Sequence, residues 1–243
     1  LVAGWMAVGF IHGVMNTDNT AISGETLDIG PAAYMDEFQF NKVFSSIDEQ
    51  GRYAYANQMR IAQWNLARLA ETLLLLCDAR TELEAILSDF PGCYESRYLD
   101  LMRPKLGLME HRDSDLELIG DWLNYLHDGA LDYTLSFRDL ATRIEASDSS
   151  HFGEFEQRWR QRVGNQATES AEVVALMDSV NPIFIPRNHR IEQAIQEAVA
   201  GDLTVFRELN VVLAQPFLEQ PEYAQYADAP EPNERVTQTF CGT

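Results

Sequence analysis

Cysteine is scarce in this sequence, and the few cysteines present are widely separated. The 243 residues include only Cys77, Cys93 and Cys241, an odd number without a CxxC pair. Disulfide-stabilised domains and structural zinc sites both depend on several cysteines at characteristic spacings. The sequence therefore argues against both and favours a reducing compartment such as the cytoplasm.

Basic residues and long apolar runs are scarce as well. There are 18 Lys and Arg against 38 Asp and Glu, which gives a formal net charge of −20. Binding to nucleic acids or to anionic membranes depends largely on Lys and Arg close to phosphate groups. The apolar run at 73–77 is far shorter than the roughly 20 residues that a membrane-spanning helix needs. We expect neither nucleic acid nor membrane as a partner.

Apolar residues recur at steps of three and four along most of the chain, which is typical of helices. The pattern is clearest over 57–80, where it predicts a buried helix with Trp64, the leucines at 73–76 and Cys77 in the core. Further helices are predicted over 95–106, 115–126, 136–146, 152–163, 169–177, 187–200 and 203–214. Strand patterns are nearly absent, except that 20–22 and 25–29 around Ser23-Gly24 predict a small β-hairpin. The predicted class is mainly α.

The length suits one domain or two small ones. We predict a lobe over 1–218 and an extended tail over 219–243, because three prolines and several acidic residues lie between 219 and 235. The apolar start, Leu1 to Ile11, lacks the basic region and the cleavage site of a signal peptide. We interpret it as the end of a helix and expect the chain to be the C-terminal part of a longer protein.

One stretch carries the residue types of a metal and nucleotide site. Asp18 and Asn19 are adjacent, and Asp28-Ile29-Gly30 follows nine positions later. Carboxylate and amide oxygens suit a divalent metal that contacts phosphates, and a further carboxylate can accept a proton in such a reaction. Asp and Asn are equally common in turns, where they bond to nearby backbone. The spacing alone leaves these two interpretations about equally open.

Three separated blocks of the sequence, in the same order, resemble one known family. They are 5–19 with 27–31, then 51–53 with 57–58 and 64–70, then 181–182 with 185–192, and the chain ends in Phe-Cys-Gly-Thr. Together they resemble the C-terminal half of the selenoprotein O family, whose members are kinase-like protein adenylyltransferases. The resemblance covers essentially the whole chain.

That resemblance implies a mostly helical, protein-kinase-like C-terminal lobe with a metal-binding hairpin at its cleft. It also implies ATP with Mg²⁺ or Mn²⁺, and transfer of AMP to Ser, Thr or Tyr hydroxyls of other proteins. His12 and Asn19 are seven positions apart, as in the kinase HRDxxxxN pattern, but Val14 stands at the position of the kinase base. The resemblance implies instead that Asp18 accepts the proton, Asn19 binds metal, and Asp28 contacts both metal and nucleotide. Spacing does not separate AMP transfer from phosphate transfer.

Two other stretches favour structural roles. The tripeptide at 111–113 spells HRD, but Leu118 stands where that pattern needs Asn, so the start of a solvated helix is favoured. At the third block, Arg187 to His189 favour helix capping and an intramolecular ion pair over catalysis.

Cys241 lies on a polar tail, three residues from the end. We expect it to be the cysteine that alkylating reagents reach first, with Cys77 buried and Cys93 intermediate. Many members of the resembled family carry cysteine or selenocysteine near this end, which makes Cys241 a candidate redox residue.

The resemblance implies that the chain is part of an adenylyltransferase that uses ATP and modifies protein hydroxyls. Without the N-terminal half of the nucleotide pocket, we expect residues 1–243 alone to transfer nothing. The alternative is a catalytically silent kinase-like scaffold that senses redox state through Cys241. We expect a cytoplasmic protein in a bacterium, or a mitochondrial one in a eukaryote.

Overall fold

The computed structural model describes residues 1–146 and 151–240, which are mainly helical. The helices are α1 Val2–Ala7, α2 Gln58–Leu73, α3 Arg80–Lys105, α4 Asp115–Gly129, α5 Tyr133–Thr142, α6 Gly153–Gly164, α7 Ser170–Val180, α8 Asn188–Val199 and α9 Thr204–Leu213. Strands β1 Phe10–Ile11 and β2 Ala33–Tyr34 pair in a two-stranded sheet. Short 3₁₀ helices span Thr17–Asn19, Tyr55–Asn57 and Pro221–Tyr226. The mainly α class is confirmed, and the kinase-like architecture stays a prediction.

The eight predicted helices are present, but two boundaries differ by seven residues or more. Helix α2 ends at Leu73 instead of residue 80, and α3 begins at Arg80 instead of residue 95. The sequence hides the continuity of α3 because Pro91 lies inside it, and proline has no N–H to donate to the carbonyl four residues earlier. That carbonyl, on Leu87, instead accepts a hydrogen bond of 2.9 Å from Nε2 of Gln63. A side chain of α2 thus replaces the missing backbone donor.

The chain forms two compact units. The first comprises Leu1–Ala33, Phe40–Leu101 and the segment that begins at Thr237. Its core includes Met15, Tyr53 and Ile61, with Trp5 and Phe90 packed against them. This unit contains the residues that the sequence assigns to chemistry.

The second unit comprises Tyr34–Gln39 and Met102–Val236. Trp122 is fully buried at its centre, where its ring centroid lies 5.7 Å from Phe137, 5.1 Å from Phe152 and 4.9 Å from Phe155. Aromatic pairs at these separations add to the stabilisation that comes from their buried area.

The predicted tail is less extended than expected. Pro221–Tyr226 forms a 3₁₀ helix, and Tyr226 is buried against Val212 and Leu209. Its hydroxyl donates to Glu208 over 2.5 Å. Thr239, in the first unit, donates its N–H to Phe44 O over 2.8 Å. These apolar and hydrogen-bonding contacts account for the difference, which composition alone does not indicate.

Several residues expected in the core are exposed, so that part of the prediction is wrong. Leu75 and Leu76 are 86% and 83% exposed, and Cys77 is exposed too. They lie beyond the end of α2, where the helical period no longer applies. Trp64 lies within α2 but is 40% exposed. Within residues 1–146 and 151–240, no helix combines the length and the apolar character needed to cross a membrane.

Candidate functional site

The loop that follows β1 is anchored by His12, which is fully buried. Its backbone N–H donates to Oε1 of Gln58 over 3.0 Å, and its Nε2 lies 2.6 Å from Leu27 O. The N–H of Val14 donates to its Nδ1 over 3.4 Å. A carbonyl can only accept, so this pattern assigns the proton to Nε2. Burial lowers the pKa of His12, although the bond to Leu27 and the charge of Asp28 oppose that effect.

Gly13 allows the loop to approach the segment after Asp28. Its φ is +83°, and a Cβ at this position would lie 3.1 Å from Pro31 O. A larger residue would therefore meet both an unfavourable backbone conformation and a close contact. His12 and Gly13 together hold the loop that contains Asp18 close to the segment that contains Asp28.

Two polar residues hold the loop from Met15 to Thr20. Asn65, which is buried in α2, donates to Met15 O over 3.1 Å and to the Thr20 hydroxyl over 2.8 Å. The Tyr53 hydroxyl donates to Oδ1 of Asn16. With Gln58, these supporting residues were missed by the sequence reasoning. The sequence could have indicated two of them, because Gln58 and Asn65 are polar residues on the otherwise apolar face of α2.

The predicted site residues lie on two arms of one turn. Asp18 and Asn19 belong to the 3₁₀ helix Thr17–Asn19. Thr20 and Thr26 form a single antiparallel bridge, which joins the arm after Asn19 to the arm that leads to Asp28. The predicted hairpin is reduced to this bridge because the turn has no buried face: Ile22 is 88% exposed and Ile29 is 63% exposed.

The two carboxylates of this turn are exposed and uncommitted. Within the described ranges, neither Asp18 nor Asp28 has an ion pair or a hydrogen bond. Asp28 has a φ of +52°, in the left-handed region that Asp tolerates better than most residues. Nδ2 of Asn19 donates to Val14 O over 3.0 Å, which leaves its Oδ1 available. The turn therefore presents two carboxylates and one amide oxygen.

These oxygens are hard ligands, the type that Mg²⁺ and Mn²⁺ prefer. The part of the chain that the structure describes has no group of three or more His, Cys, Asp or Glu arranged to hold a metal. Mg²⁺ at nucleotide sites takes only one or two protein carboxylates, and phosphate oxygens and water complete its shell. The donor set of the turn fits that kind of binding.

The remaining predicted residues have other roles. Arg187 is fully buried and bonds to Asp132 at 2.8 Å and also to Asp36, which confirms the intramolecular ion pair. No described side chain caps helix α8, so the predicted capping is wrong. Helix α4 begins just after the 111–113 tripeptide, which confirms the helix start. Cys241 lies outside the described residues.

Comparisons with known proteins support one family. The family model described as "Protein adenylyltransferase SelO" matches residues 1–214. A protein of Bradyrhizobium diazoefficiens named "Protein nucleotidyltransferase YdiU" is 50% identical, over 100% of this chain and 53% of its own length. Proteins of the same name from Rhizobium etli and Rhodopseudomonas palustris are 48% and 49% identical, over 100% of this chain and 52% and 53% of their own lengths. The chain spans about half the length of these curated relatives.

Proposed function

The chain belongs to the SelO family of protein adenylyltransferases, and we propose that it supplies the proton acceptor and metal ligands for transfer of AMP from ATP to protein hydroxyls. The observation that carries this proposal is the uncommitted pair Asp18 and Asp28, held on one turn by buried polar residues. Because neither has a partner among the described residues, both carboxylates remain available to bind a metal ion or to accept a proton.

In the proposed reaction a Ser, Thr or Tyr oxygen of the acceptor protein attacks the α-phosphorus of ATP. A new O–P bond forms, the bond from the α-phosphorus to its bridging oxygen breaks, and pyrophosphate leaves. Asp18 accepts the hydroxyl proton, since it is exposed and no described cation neutralises it. Val14, at the kinase base position, has no group that could do this.

Asn19 and Asp28 would hold the Mg²⁺ or Mn²⁺ ion. When bound, such an ion neutralises phosphate charge and orients the nucleotide. Asn19 contributes by its orientation: the bond from Nδ2 to Val14 O fixes the amide. Asp28 contributes by its position after Leu27, whose carbonyl is tied to the buried His12.

The alternative is a catalytically silent scaffold. The enzyme is favoured because the family match covers this segment and because Asp18, Asn19 and Asp28 are all retained on one turn. A redox role of Cys241 and the inactivity of residues 1–243 alone both stay predictions.

The test uses the full-length protein with ATP labelled at the α-phosphate, and with ATP labelled at the γ-phosphate in parallel. Asp28→Asn should lower labelling of acceptor proteins by at least about 100-fold, because it removes the negative charge of a metal ligand, a contribution of several kcal/mol. Asp18→Asn should lower kcat by about 100-fold or more. Glu25→Gln is the matched control, since Glu25 is an exposed acid on the same turn and, among the described residues, accepts a hydrogen bond only from the Ser23 hydroxyl.

Each proposed role has an outcome that contradicts it. Wild-type labelling in Asp28→Asn would contradict the role of Asp28 as a metal ligand. A wild-type kcat in Asp18→Asn would contradict the role of Asp18 as the proton acceptor. Transfer of the γ-label instead of the α-label would show phosphate transfer.

A further inference from the structure

Trp64 is exposed on α2 between cationic side chains. The guanidinium carbon of Arg52 lies 4.7 Å from the centroid of its ring system, and that of Arg68 lies 5.2 Å from it. Arg60 and Leu87 line a shallow cleft of about 320 Å³ beside the same ring. We call Arg52, Arg60, Trp64 and Arg68 the Trp64 surface. Arg and Trp are the residues most enriched among those that dominate protein–protein binding energy.

The positive charge of this surface is largely uncommitted. Arg52 and Arg60 are exposed and form no ion pair with any residue in 1–146 or 151–240. Arg68 pairs with Glu71 at 2.7 Å, but both side chains are about half exposed, so the pair is weak. Three arginines around one exposed aromatic ring are unusual in a chain with 38 acidic residues and 18 basic ones.

A series of side-chain contacts connects the Trp64 surface to the site turn. Arg52 stacks on Tyr53 with its guanidinium carbon 5.7 Å from the ring centroid, and Tyr53 bonds to Asn16. Asn65, next to Trp64, holds Met15 and Thr20. A polypeptide lying on this surface would therefore be adjacent to the loop that carries Asp18.

We propose that the Trp64 surface docks an acidic segment of the acceptor protein. This inference rests on the proposed function, since it assigns the acceptor's binding site. The segment's carboxylates pair with Arg52 and Arg60, and an apolar or aromatic residue packs on Trp64. The surface thereby selects acceptors whose hydroxyl-bearing residue lies close to Asp or Glu.

A short acidic segment fits the electrostatics better than a nucleic acid does. A polynucleotide carries a negative charge at each nucleotide and would extend past three arginines onto a chain of net charge −20. A peptide with two or three carboxylates can pair with Arg52 and Arg60 without extending beyond the Trp64 surface. Complementary charge of this kind sets specificity and the rate of association.

The experiment measures binding by fluorescence anisotropy with the full-length protein. One probe is a fluorescein-labelled peptide with a central Tyr flanked by Glu and Asp, and the second replaces those residues by Gln and Asn. The acidic peptide should bind about 10-fold more tightly at low ionic strength, and high salt should remove the difference. Arg52→Glu and Arg60→Glu should each weaken binding of the acidic peptide by about 10-fold.

Arg207→Glu is the matched control, because Arg207 is exposed on α9 and the change in net charge is the same. Equal losses in all three variants would reduce the effect to net charge and overturn the proposal. Equal affinity of the wild type for the two peptides would overturn it too. The proposal would also be overturned if a single-stranded oligonucleotide bound more tightly than the peptide and if its binding were lost in the same variants.

Because fluorescence anisotropy measures binding and not catalysis, the docking surface and the proposed function can be contradicted independently. Acidic-peptide binding without AMP transfer would contradict the proposed function and leave the docking surface intact. Transfer to acidic and neutral peptides with the same KM would contradict the docking surface and leave the proposed function intact.

Discussion

The carboxylates of the site turn and those buried in the second unit differ in what neutralises them. Asp115 is fully buried and accepts hydrogen bonds from Arg103 at 2.8 Å, from Arg162 at 2.9 Å and from the N–H of Arg112 at 2.9 Å. Asp18 and Asp28 are exposed and have no such partner in the described chain. The same residue type thus serves stability in one region and stays available for chemistry in the other.

The pKa shifts follow this difference. Burial alone would raise the pKa of Asp115, but the bonds from Arg162, Arg112 and Arg103 outweigh it and hold the pKa below its ordinary value. Glu156 behaves in the same way: burial would raise its pKa, and bonds from the Phe152 N–H and from Arg160 and Arg143 lower it. Buried carboxylates are therefore ionised only because arginines surround them, which makes loss of a partner costly.

Asp115→Asn should give the largest effect on stability. The variant leaves Arg103 and Arg162 without their anion, and removal of one partner of a buried ion pair costs about 3–5 kcal/mol. Asp18→Asn should change the free energy of unfolding by no more than about 0.5 kcal/mol. Urea denaturation of both variants measures the contrast, with the exposed Asp113→Asn as the control beside Asp115.

The loss in Asp115→Asn should also depend on pH. A carboxylate whose pKa is lowered by folding stabilises the protein above its unfolded pKa, near 3.9, and loses that contribution as the pH falls through its folded pKa. Wild type and variant should therefore converge in acid. A loss that persists unchanged at acid pH, or an equal loss in Asp18→Asn, would contradict the contrast between the two regions.

Lys105 extends the comparison to a buried cation that pairs with no carboxylate among the described residues. It is 3% exposed, and its ammonium nitrogen lies 4.3 Å from the centroid of the Phe137 ring. Burial lowers its pKa to about 7. Between this value and about 10.4, the unfolded chain holds a proton that the folded chain has lost, so stability rises with pH by up to about 1.4 kcal/mol per unit.

Lys105→Met should remove that slope and stabilise the protein near pH 7. The measurement is the free energy of unfolding in urea between pH 7 and pH 10. Lys42→Met is the matched control, since Lys42 is the other lysine of the chain and is only half-buried. Parallel curves for wild type and Lys105→Met would show that Lys105 keeps its ordinary protonation in the fold.

Helical periodicity was enough to predict the fold class and the presence of the eight helices α2–α9, because packing on one face imposes a period that the sequence must carry. It failed where a tertiary contact replaces a local rule. Pro91 indicated a break, but Gln63 satisfies the carbonyl that the proline leaves free. It failed again at Leu75 and Leu76, since apolar residues alone do not show where a helix ends.

The sequence was enough to propose which residues form the candidate site, but not which residues hold them in place. Asp18, Asn19 and Asp28 could be chosen from spacing and resemblance, and the structure places them on one turn. Tyr53 and Asn65 lie about 40 residues or more away in sequence, so only the tertiary structure brings them to the loop. The sequence did not indicate the left-handed backbone conformation of Asp28, because glycine is the residue that usually marks such a conformation.

Tyr53→Phe tests how the site loop is held. The loop depends on neutral hydrogen bonds, so loss of the bond to Asn16 should cost only about 1 kcal/mol, and salt should not change that cost. Tyr94→Phe is the control, because the Tyr94 hydroxyl has no hydrogen bond with a described residue. Denaturation in low and high salt measures both. A loss as large as that of Asp115→Asn would show that the loop is part of the stabilising core.

The smallest expected effects concern the cysteines, whose predicted order of reactivity needs correction. Cys77 was predicted to be buried, but it and Cys93 are both exposed and free. Iodoacetamide should therefore label both in the native protein about as readily as in urea, and Cys77→Ser or Cys93→Ser should change stability by no more than about 0.5 kcal/mol. Mass spectrometry of timed samples measures the order, including Cys241. Protection of Cys77 in the native protein, with Cys93 labelled, would contradict the end of α2 at Leu73, because only a continued and packed helix would cover that thiol.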